Sequence, residues 1–296
     1  MTSEVQPQSW SDLSTVEVPG GETLPGTQIE VVRAPLDTSG INAVFFDFDG
    51  TLSLIRSGWM DVMVPMMVEI LAELGSGETQ EELTTLVREF VYRLNGRQTI
   101  YQMIQLAKEV QARGGTPLDP LEYKRRYHDL LWERIKSRVD ALRSGAIPRE
   151  RMIVPGAIPL LERLRELGLP MYCASGTDES YARAEAELLG LTDYFDGRVY
   201  GAIDDYQSYS KRMVIERILT EHAIGPGALL SFGDGFVEIE DTKAAGGIAV
   251  GVATDEPECK QIDEWKRKRL ILAGADVIIP NFVEHQALLV FLVGNS

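Results

Sequence analysis

The sequence predicts an α/β fold in which a parallel sheet is covered by helices on both faces and interrupted by an all-helical insertion. Three observations carry this expectation. Short continuous apolar runs recur along the chain, segments of helical spacing separate them, and one long interval shows helical spacing alone. The first run is Ala43-Val44-Phe45-Phe46, ending at Asp47, as expected of a strand buried on both faces. The second runs from Leu169 to Ala174 and ends at Ser175; the third runs from Ala228 to Phe232 and ends at Gly233-Asp234. Two more follow, from Ile248 to Val252 and from Asp276 to Ile279. Helical patterns lie between them, from Ile158 to Leu167, Ser180 to Leu189, Lys211 to His222 and Val237 to Ala245.

Residues 57–149 hold the exception. Met60, Val64, Met67, Val68 and Leu71 recur at helical spacing, as do Leu83, Leu86, Val87 and Phe90, and later Tyr123, Tyr127, Leu130 and Leu131. This reads as an insertion of four or so helices, with its Met and aromatic stripes as core. The sheet domain is then built from residues 41–56 and 150–296. Residues 1–40 are rich in Ser, Thr, Pro, Gly and Glu, with one strand-like run from Gln28 to Arg33. They read as a loosely attached, partly disordered extension to which no chemistry is assigned.

Composition bounds the partners. A chain of 296 residues, 44% hydrophobic and 25% charged, suits a core domain plus one insertion. The formal charge of −16 disfavours nucleic acid and anionic membranes, because the general field repels polyanions. A small anion can still bind where a cation and a few basic groups are focused in one cleft. Two cysteines, Cys173 and Cys259, make neither a disulfide framework nor a zinc site, and His128, His222 and His285 are scattered. No run approaches the roughly 20 apolar residues of a membrane helix. No basic-then-apolar leader opens the chain, so a cytoplasmic setting is expected.

Three of the apolar runs end in a polar residue, and open α/β sheets bind ligands beyond the carboxyl ends of their strands. Asp47, Ser175 and Asp234 should therefore meet at one rim. The sharpest segment is Asp47-Phe48-Asp49-Gly50-Thr51. Two carboxylates leaving an apolar strand are costly without a partner, and a hard divalent cation with oxygen ligands, magnesium above all, is the natural one. The plainer alternative is an acidic turn, with Asp49-Gly50 as an ordinary turn signal.

Asp47 to Thr51 resembles the first motif of the haloacid dehalogenase superfamily of aspartate-nucleophile phosphotransferases. Ser175 matches the second motif and Lys211, in Tyr209-Ser210-Lys211-Arg212, the third. The stretch from Gly233 to Glu238 resembles the fourth, followed by a typical Lys243-Ala244-Ala245-Gly246. The resemblance covers about residues 43–285, in the branch of phosphoglycolate phosphatases and β-phosphoglucomutases. It implies a Rossmann-like core, a C1-type helical cap over residues 57–149, a Mg2+ cofactor and a small phosphate ester as partner.

The resemblance also implies roles. Asp47 is the expected nucleophile, forming an aspartyl-phosphate, and Asp49 the expected general acid and then base. Thr51 is expected to support Asp49, and Gly50 to relieve the loop backbone. Ser175 should donate to a phosphoryl oxygen, and the N–H groups of Gly176 and Thr177 should face the anion ahead of a helix from about Glu179. Lys211 should neutralise the phosphoryl group and keep Asp47 ionised. Relatives often have Gly-Lys-Pro here, so the Arg212 of this chain raises the question of a shared role. Asp47, Asp49 and Asp234 are the expected metal ligands. Glu238 stands where relatives carry aspartate and either reaches the metal, holds a metal-bound water or holds Lys211.

In the insertion, Leu94-Asn95-Gly96-Arg97 resembles the glycine-containing specificity loop of such caps. Arg97 either reaches a second anionic or hydroxyl group of the substrate or is an exposed arginine at a helix end. Arg56 and Trp59 fall in the hinge, where Ser53-Leu54-Ile55-Arg56-Ser57-Gly58 replaces the usual Val-Asp-Ser and points to an unusual pocket. The expected activity is that of a phosphatase, with a phosphomutase as the alternative and a weakly active regulatory module behind it. Dehalogenase and phosphonatase chemistry are disfavoured, since those branches lack a carboxylate at the place of Asp49.

Overall fold

The structure, a computed structural model, describes residues 9–221, 225 and 227–294. The chain opens with two short strands, β1 (Glu22–Thr23) and β2 (Glu30–Val31), and then enters β3 (Ala43–Asp47). Four helices follow: α1 (Met60–Ala72), α2 (Gln80–Leu94), α3 (Thr99–Ala112) and α4 (Pro120–Arg143). Strands and helices then alternate through α5 (Ala157–Glu166), β4 (Met171–Asp178), α6 (Glu179–Leu188), β5 (Val199–Ala202) and α7 (Lys211–Glu221). The remainder is β6 (Leu229–Gly233), α8 (Phe236–Ala244), β7 (Ile248–Val252), α9 (Glu264–Ala273), β8 (Val277–Ile279) and α10 (His285–Val293). His222, the end of the expected helix from Lys211, lies outside the described residues. No described helix is long and apolar enough to cross a membrane.

All eight strands form one sheet in the order β1-β2-β8-β7-β6-β3-β4-β5. The six strands from β8 to β5 are parallel, and β2 adds to β8 antiparallel. The both-faces burial read from the sequence of β3 is realised. Val44, Phe46 and Phe48 enter one core cluster, and Ala43 and Phe45 enter the other. Phe46 stacks on Phe232 of β6 with ring centroids 4.9 Å apart. In register, Asp47 faces Ala174 and Phe46 faces Phe232, so the residues just beyond β3, β4 and β6 share one rim.

Two of the four helices between β3 and α5 are started by local side-chain caps. Thr79 and Glu82 form a reciprocal capping box at α2, and Asp119 with Pro120 starts α4. The apolar faces of the four, including Val87, Phe90, Met103, Leu106 and Leu131, join the same cluster as Phe46.

Residues 9–33 are not loosely attached, as the sequence suggested. The basic and aromatic residues of α9 satisfy them: Arg267 pairs with Glu30 at 2.5 Å, Trp265 donates to the Trp10 carbonyl at 2.8 Å, and Lys268 donates to the Leu13 carbonyl at 2.8 Å. On the other side, Glu89 of α2 accepts from the Trp10 N–H at 2.8 Å. Polar composition signalled a free tail, but Trp10, Leu13 and Glu30 have partners fixed elsewhere in the fold.

The long helix α4 meets the sheet at Asp178, which ion-pairs with Lys124 and lies 3.8 Å from Nδ1 of His128. Burial is the largest influence on His128 and outweighs Asp178. With Arg56 and Lys124 nearby, it pushes the imidazole down to about 4 from an ordinary 6.5. The folded chain thus favours neutral His128. That contribution is complete above pH 6.5 and is lost as pH falls through about 4. Between pH 7 and 4 the wild-type protein should lose roughly 1–3 kcal/mol more unfolding free energy than His128→Gln. Urea titrations at the two pH values check this, and equal losses in both proteins would refute it.

Candidate active site

A cavity of about 100 Å³ sits at the carboxyl rim of the sheet. Asp47, Asp49, Lys211 and Asp234 line it from the sheet side, and Trp59, Arg97 and Gln102 line it from the helical side. Nearly every residue singled out in the sequence reaches this cavity or stands directly behind it, but several do so with different partners from those expected.

Lys211, the first residue of α7, is buried between two carboxylates, 2.6 Å from Asp47 Oδ1 and 2.9 Å from Glu238 Oε2. Burial works against its charge, yet Asp47 and Glu238 together hold the ammonium well above its usual range. Burial also pushes the Asp47 carboxyl up. Lys211 pulls the other way, and Glu238 and Asp234 add to the upward push. Glu238, third residue of α8, uses its second oxygen to accept from the Gly235 N–H at 2.6 Å. Both of its oxygens are therefore engaged, one on Lys211 and one on the start of its own helix. Arg212 is exposed and pairs with Glu216 one turn on at 2.9 Å, so it does not share the position of Lys211.

Asp47, Asp234 and Glu238 each bring a carboxylate oxygen within 4.8 Å of the others, a hard-oxygen set that could hold a metal ion. Burial is the main cause of the upward push on Asp47, and Glu238 and Asp234 add a smaller part that a divalent cation among these carboxylates would oppose. The fit is close. Gly50 has φ +77, and a Cβ there would stand 2.3 Å from Asp234 Oδ2. Only glycine lets the loop after β3 meet the end of β6.

The carboxylate of Asp49 lies outside this set. Its Oδ2 accepts from Ser175 Oγ at 2.8 Å and Thr177 Oγ1 at 3.0 Å. Its Oδ1 has no hydrogen-bond partner and lies 3.8 Å from Arg56 Nε. This changes three expectations. Asp49 is turned across to β4 and is not grouped with Asp47 and Asp234. Ser175 is fully buried, donates to Asp49 and accepts from the Thr177 N–H at 2.9 Å, because β4 continues to Asp178 and keeps Ser175 inside the sheet. Gly176 and Thr177 form the cavity wall in its place. Thr51 is buried without a hydrogen-bond partner for its hydroxyl, so it does not brace Asp49. The tight turn in which Leu52 and Ser53 both donate to the Phe48 carbonyl carries Thr51 out of the cavity wall.

On the helical side, Arg56 reaches the cavity but is already paired, donating to both oxygens of the buried Glu185 at 2.7–3.2 Å. Trp59 is half-buried at the wall. Gly96, at φ +91, sits on the fourth-motif loop: a Cβ there would lie 3.2 Å from Gly235 Cα. Arg97 faces the cavity with its guanidinium about 6 Å from the rings of Tyr101 and Phe236. Three further residues, Lys266, Glu256 and Glu185, escaped the sequence reading. Lys266 Nζ lies 3.0 Å from Asp234 Oδ2 and 2.7 Å from Glu256, and Glu256 accepts from Ser57 Oγ at 2.5 Å. Glu185 holds Arg56. None of these three has a local signal, because their partners lie ten to more than a hundred residues away.

Removing Glu238 should show how much the cluster depends on it. Glu238→Ala strips one partner from a buried cation and orphans the Gly235 N–H, so it should cost about 3–5 kcal/mol of unfolding free energy. A loss below about 1 kcal/mol in urea titration would contradict the buried geometry.

Similar folds are known. A β-phosphoglucomutase from Clostridium difficile aligns with a TM-score of 0.55 at 13% identity, covering 85% of this chain and 97% of that chain. A predicted phosphoglycolate phosphatase from Haemophilus somnus aligns with a TM-score of 0.55 at 13% identity, over 85% and 99%. CbbY from Rhodobacter sphaeroides, in complex with xylulose-(1,5)bisphosphate, aligns with a TM-score of 0.53 at 19% identity, over 82% and 96%. At such identities the likeness shows the fold alone. No curated protein matches the chain. The sequence model of the haloacid dehalogenase-like hydrolases matches residues 41–246, the span that carries every carboxylate of the cluster, and the chain belongs to that family.

Proposed function

We propose that this hydrolase is a phosphatase that cleaves small phosphate monoesters through a covalent aspartyl-phosphate on Asp47. The observation that carries this reading is the unequal treatment of two carboxylates two residues apart. Asp47 is held against the buried ammonium of Lys211, whereas Asp49, which lines the cavity, rests one oxygen on two hydroxyls and leaves its buried Oδ1 without a hydrogen bond, 3.8 Å from Arg56 Nε. The first suits a nucleophile and the second a proton carrier.

An Asp47 oxygen attacks phosphorus while the bond to the leaving oxygen breaks, and Asp49 gives its proton to that oxygen. Asp49 then takes a proton from the water that attacks phosphorus and frees Asp47. Lys211 stands where negative charge gathers on the transferring group. A magnesium ion held by Asp47 and Asp234 would supply further charge neutralisation there. Glu238, with both oxygens engaged, serves as the anchor of Lys211 in this reading.

We read residues 57–149 as the cap that selects the substrate, with Trp59, Gly96 and Arg97 facing it and Gly176 and Thr177 opposite. The small cavity favours compact esters. Sugar phosphates or phosphoglycolate-like acids are the leading class, in keeping with the names of the phosphatase, mutase and bisphosphate-bound neighbours. A phosphomutase would use the same two aspartates. The close seat of Gly96 on Gly235 favours that alternative, since a closed cavity excludes water from the phosphorylated Asp47.

Purified protein with magnesium should release phosphate from an aryl phosphate. Asp47→Asn should lower turnover on the order of 10³-fold or more, and Asp49→Asn by about 10²–10⁴-fold. Undiminished turnover in Asp47→Asn would exclude the covalent route. Isomerisation driven by glucose-1,6-bisphosphate without net phosphate release would select the mutase. Separately, EDTA should abolish activity and added magnesium restore it; activity that survives chelation would remove the metal from the reading.

A further inference from the structure

The basic run Lys266-Arg267-Lys268-Arg269 lies in α9, beyond the span matched by the family. Three of its members serve as structural fasteners. Arg267 pairs with Glu30, Lys268 donates to the Leu13 and Ser14 carbonyls, and Arg269 donates to the Arg93 and Asn95 carbonyls at the end of α2. Lys266 differs, because its ammonium reaches the acidic cluster, 3.0 Å from Asp234 and 2.7 Å from Glu256. The side chains of Lys266, Asp234 and Glu256 are only 13%, 15% and 21% exposed, so water screens these charges weakly.

The bookkeeping of charge is uneven around this lysine. Lys211 already serves Asp47 and Glu238, and Lys266 is the cation on the remaining member of the set, Asp234. A divalent ion drawn to Asp234 therefore meets an ammonium bound to the same carboxylate. The helix that carries it is fixed, since the Asp263 side chain accepts from the Lys266 backbone N–H at 2.8 Å and Arg267, Lys268 and Arg269 fasten the following turn, while Glu256 at 2.7 Å holds the ammonium itself in place. Like charges a few ångströms apart in a weakly screened site oppose each other by several times the thermal energy.

We propose that Lys266 is a positioning residue that orients Asp234 and lowers the affinity of the cluster for its divalent cation, with Glu256 as its counterweight. The inference rests on the metal reading of Asp47 and Asp234 given above. The free protein then holds its cation weakly, and an anionic substrate, by adding negative charge to the same cavity, tightens it. Because binding free energies are reciprocal, the cation tightens the substrate by the same factor.

The test is calorimetric titration of magnesium into the full-length, chelator-stripped protein without substrate. Lys266→Met should bind magnesium about tenfold more tightly than wild type, and Glu256→Gln about tenfold more weakly. Lys266→Arg, which keeps the charge, should stay within about twofold of wild type. Opposite signs for the two neutralising variants are the signature, since mere loss of packing would weaken both. If Lys266→Met fails to fold, weakened binding in Glu256→Gln beside a wild-type value in Lys266→Arg supports the proposal, and any other pair overturns it. Binding by the wild type with no tightening in a folded Lys266→Met overturns this inference and leaves the metal reading standing. A wild type that binds no magnesium overturns both.

Discussion

One buried ammonium organises this protein. Lys211 lies between Asp47 from the central strand and Glu238 from the helix after β6, all three almost free of solvent. A buried ion pair contributes little by itself, but removing one partner is severe, because the others are left charged and dry. The start of α7 that delivers Lys211, the strand that delivers Asp47 and the helix start that delivers Glu238 are therefore constrained together. The parallel register of β3, β4 and β6 is the scaffold that makes their meeting possible.

A second pair works on the opposite wall. Arg56 is held by Glu185 of α6 and stands beside the free oxygen of Asp49, so the carboxylate proposed to move protons is flanked by a fixed cation and two hydroxyls. The four helices after β3 touch the sheet at a few points, among them Gly96 on Gly235, Gln98 on the Tyr209 carbonyl and Lys124 on Asp178. The segments outside the family match pack on each other, β2 on β8 and Trp10 under Arg269, and reach this seam together through Glu89 and Arg269. Trp10 and Arg269 thus meet α2 together at the seam between sheet and helices.

The legible parts of the fold are those in which burial imposes a pattern. β3, β4, β6, β7 and β8 stand out because strands covered on both faces must be apolar throughout. β5, four residues with a central glycine, and the two-residue β1 carry too little pattern to be read, whereas β2 falls inside the strand-like run from Gln28 to Arg33. α9 was unread for a different reason. Its basic residues resemble a solvated face, yet Arg269 is among the largest fully buried side chains, set over Trp10, Phe236 and Trp265, where burial pulls it down to about 10. A charge buried against aromatic rings leaves no periodic trace.

The sequence by itself determined the sheet, the all-helical interval between its first and second buried strands, and the two aspartates at the end of β3, because these follow from local burial and from spacing along one strand. Only the tertiary structure decided the partners. That Ser175 serves Asp49, that Thr51 serves nothing polar, that Glu238 is spent on Lys211 and that Lys266 crowds Asp234 are contacts between segments dozens to more than a hundred residues apart. The physical reason is that a carboxylate's neighbours are set by which strands and helices close on it; the strand pattern brings the strand ends to one rim but does not choose the partner of each side chain there.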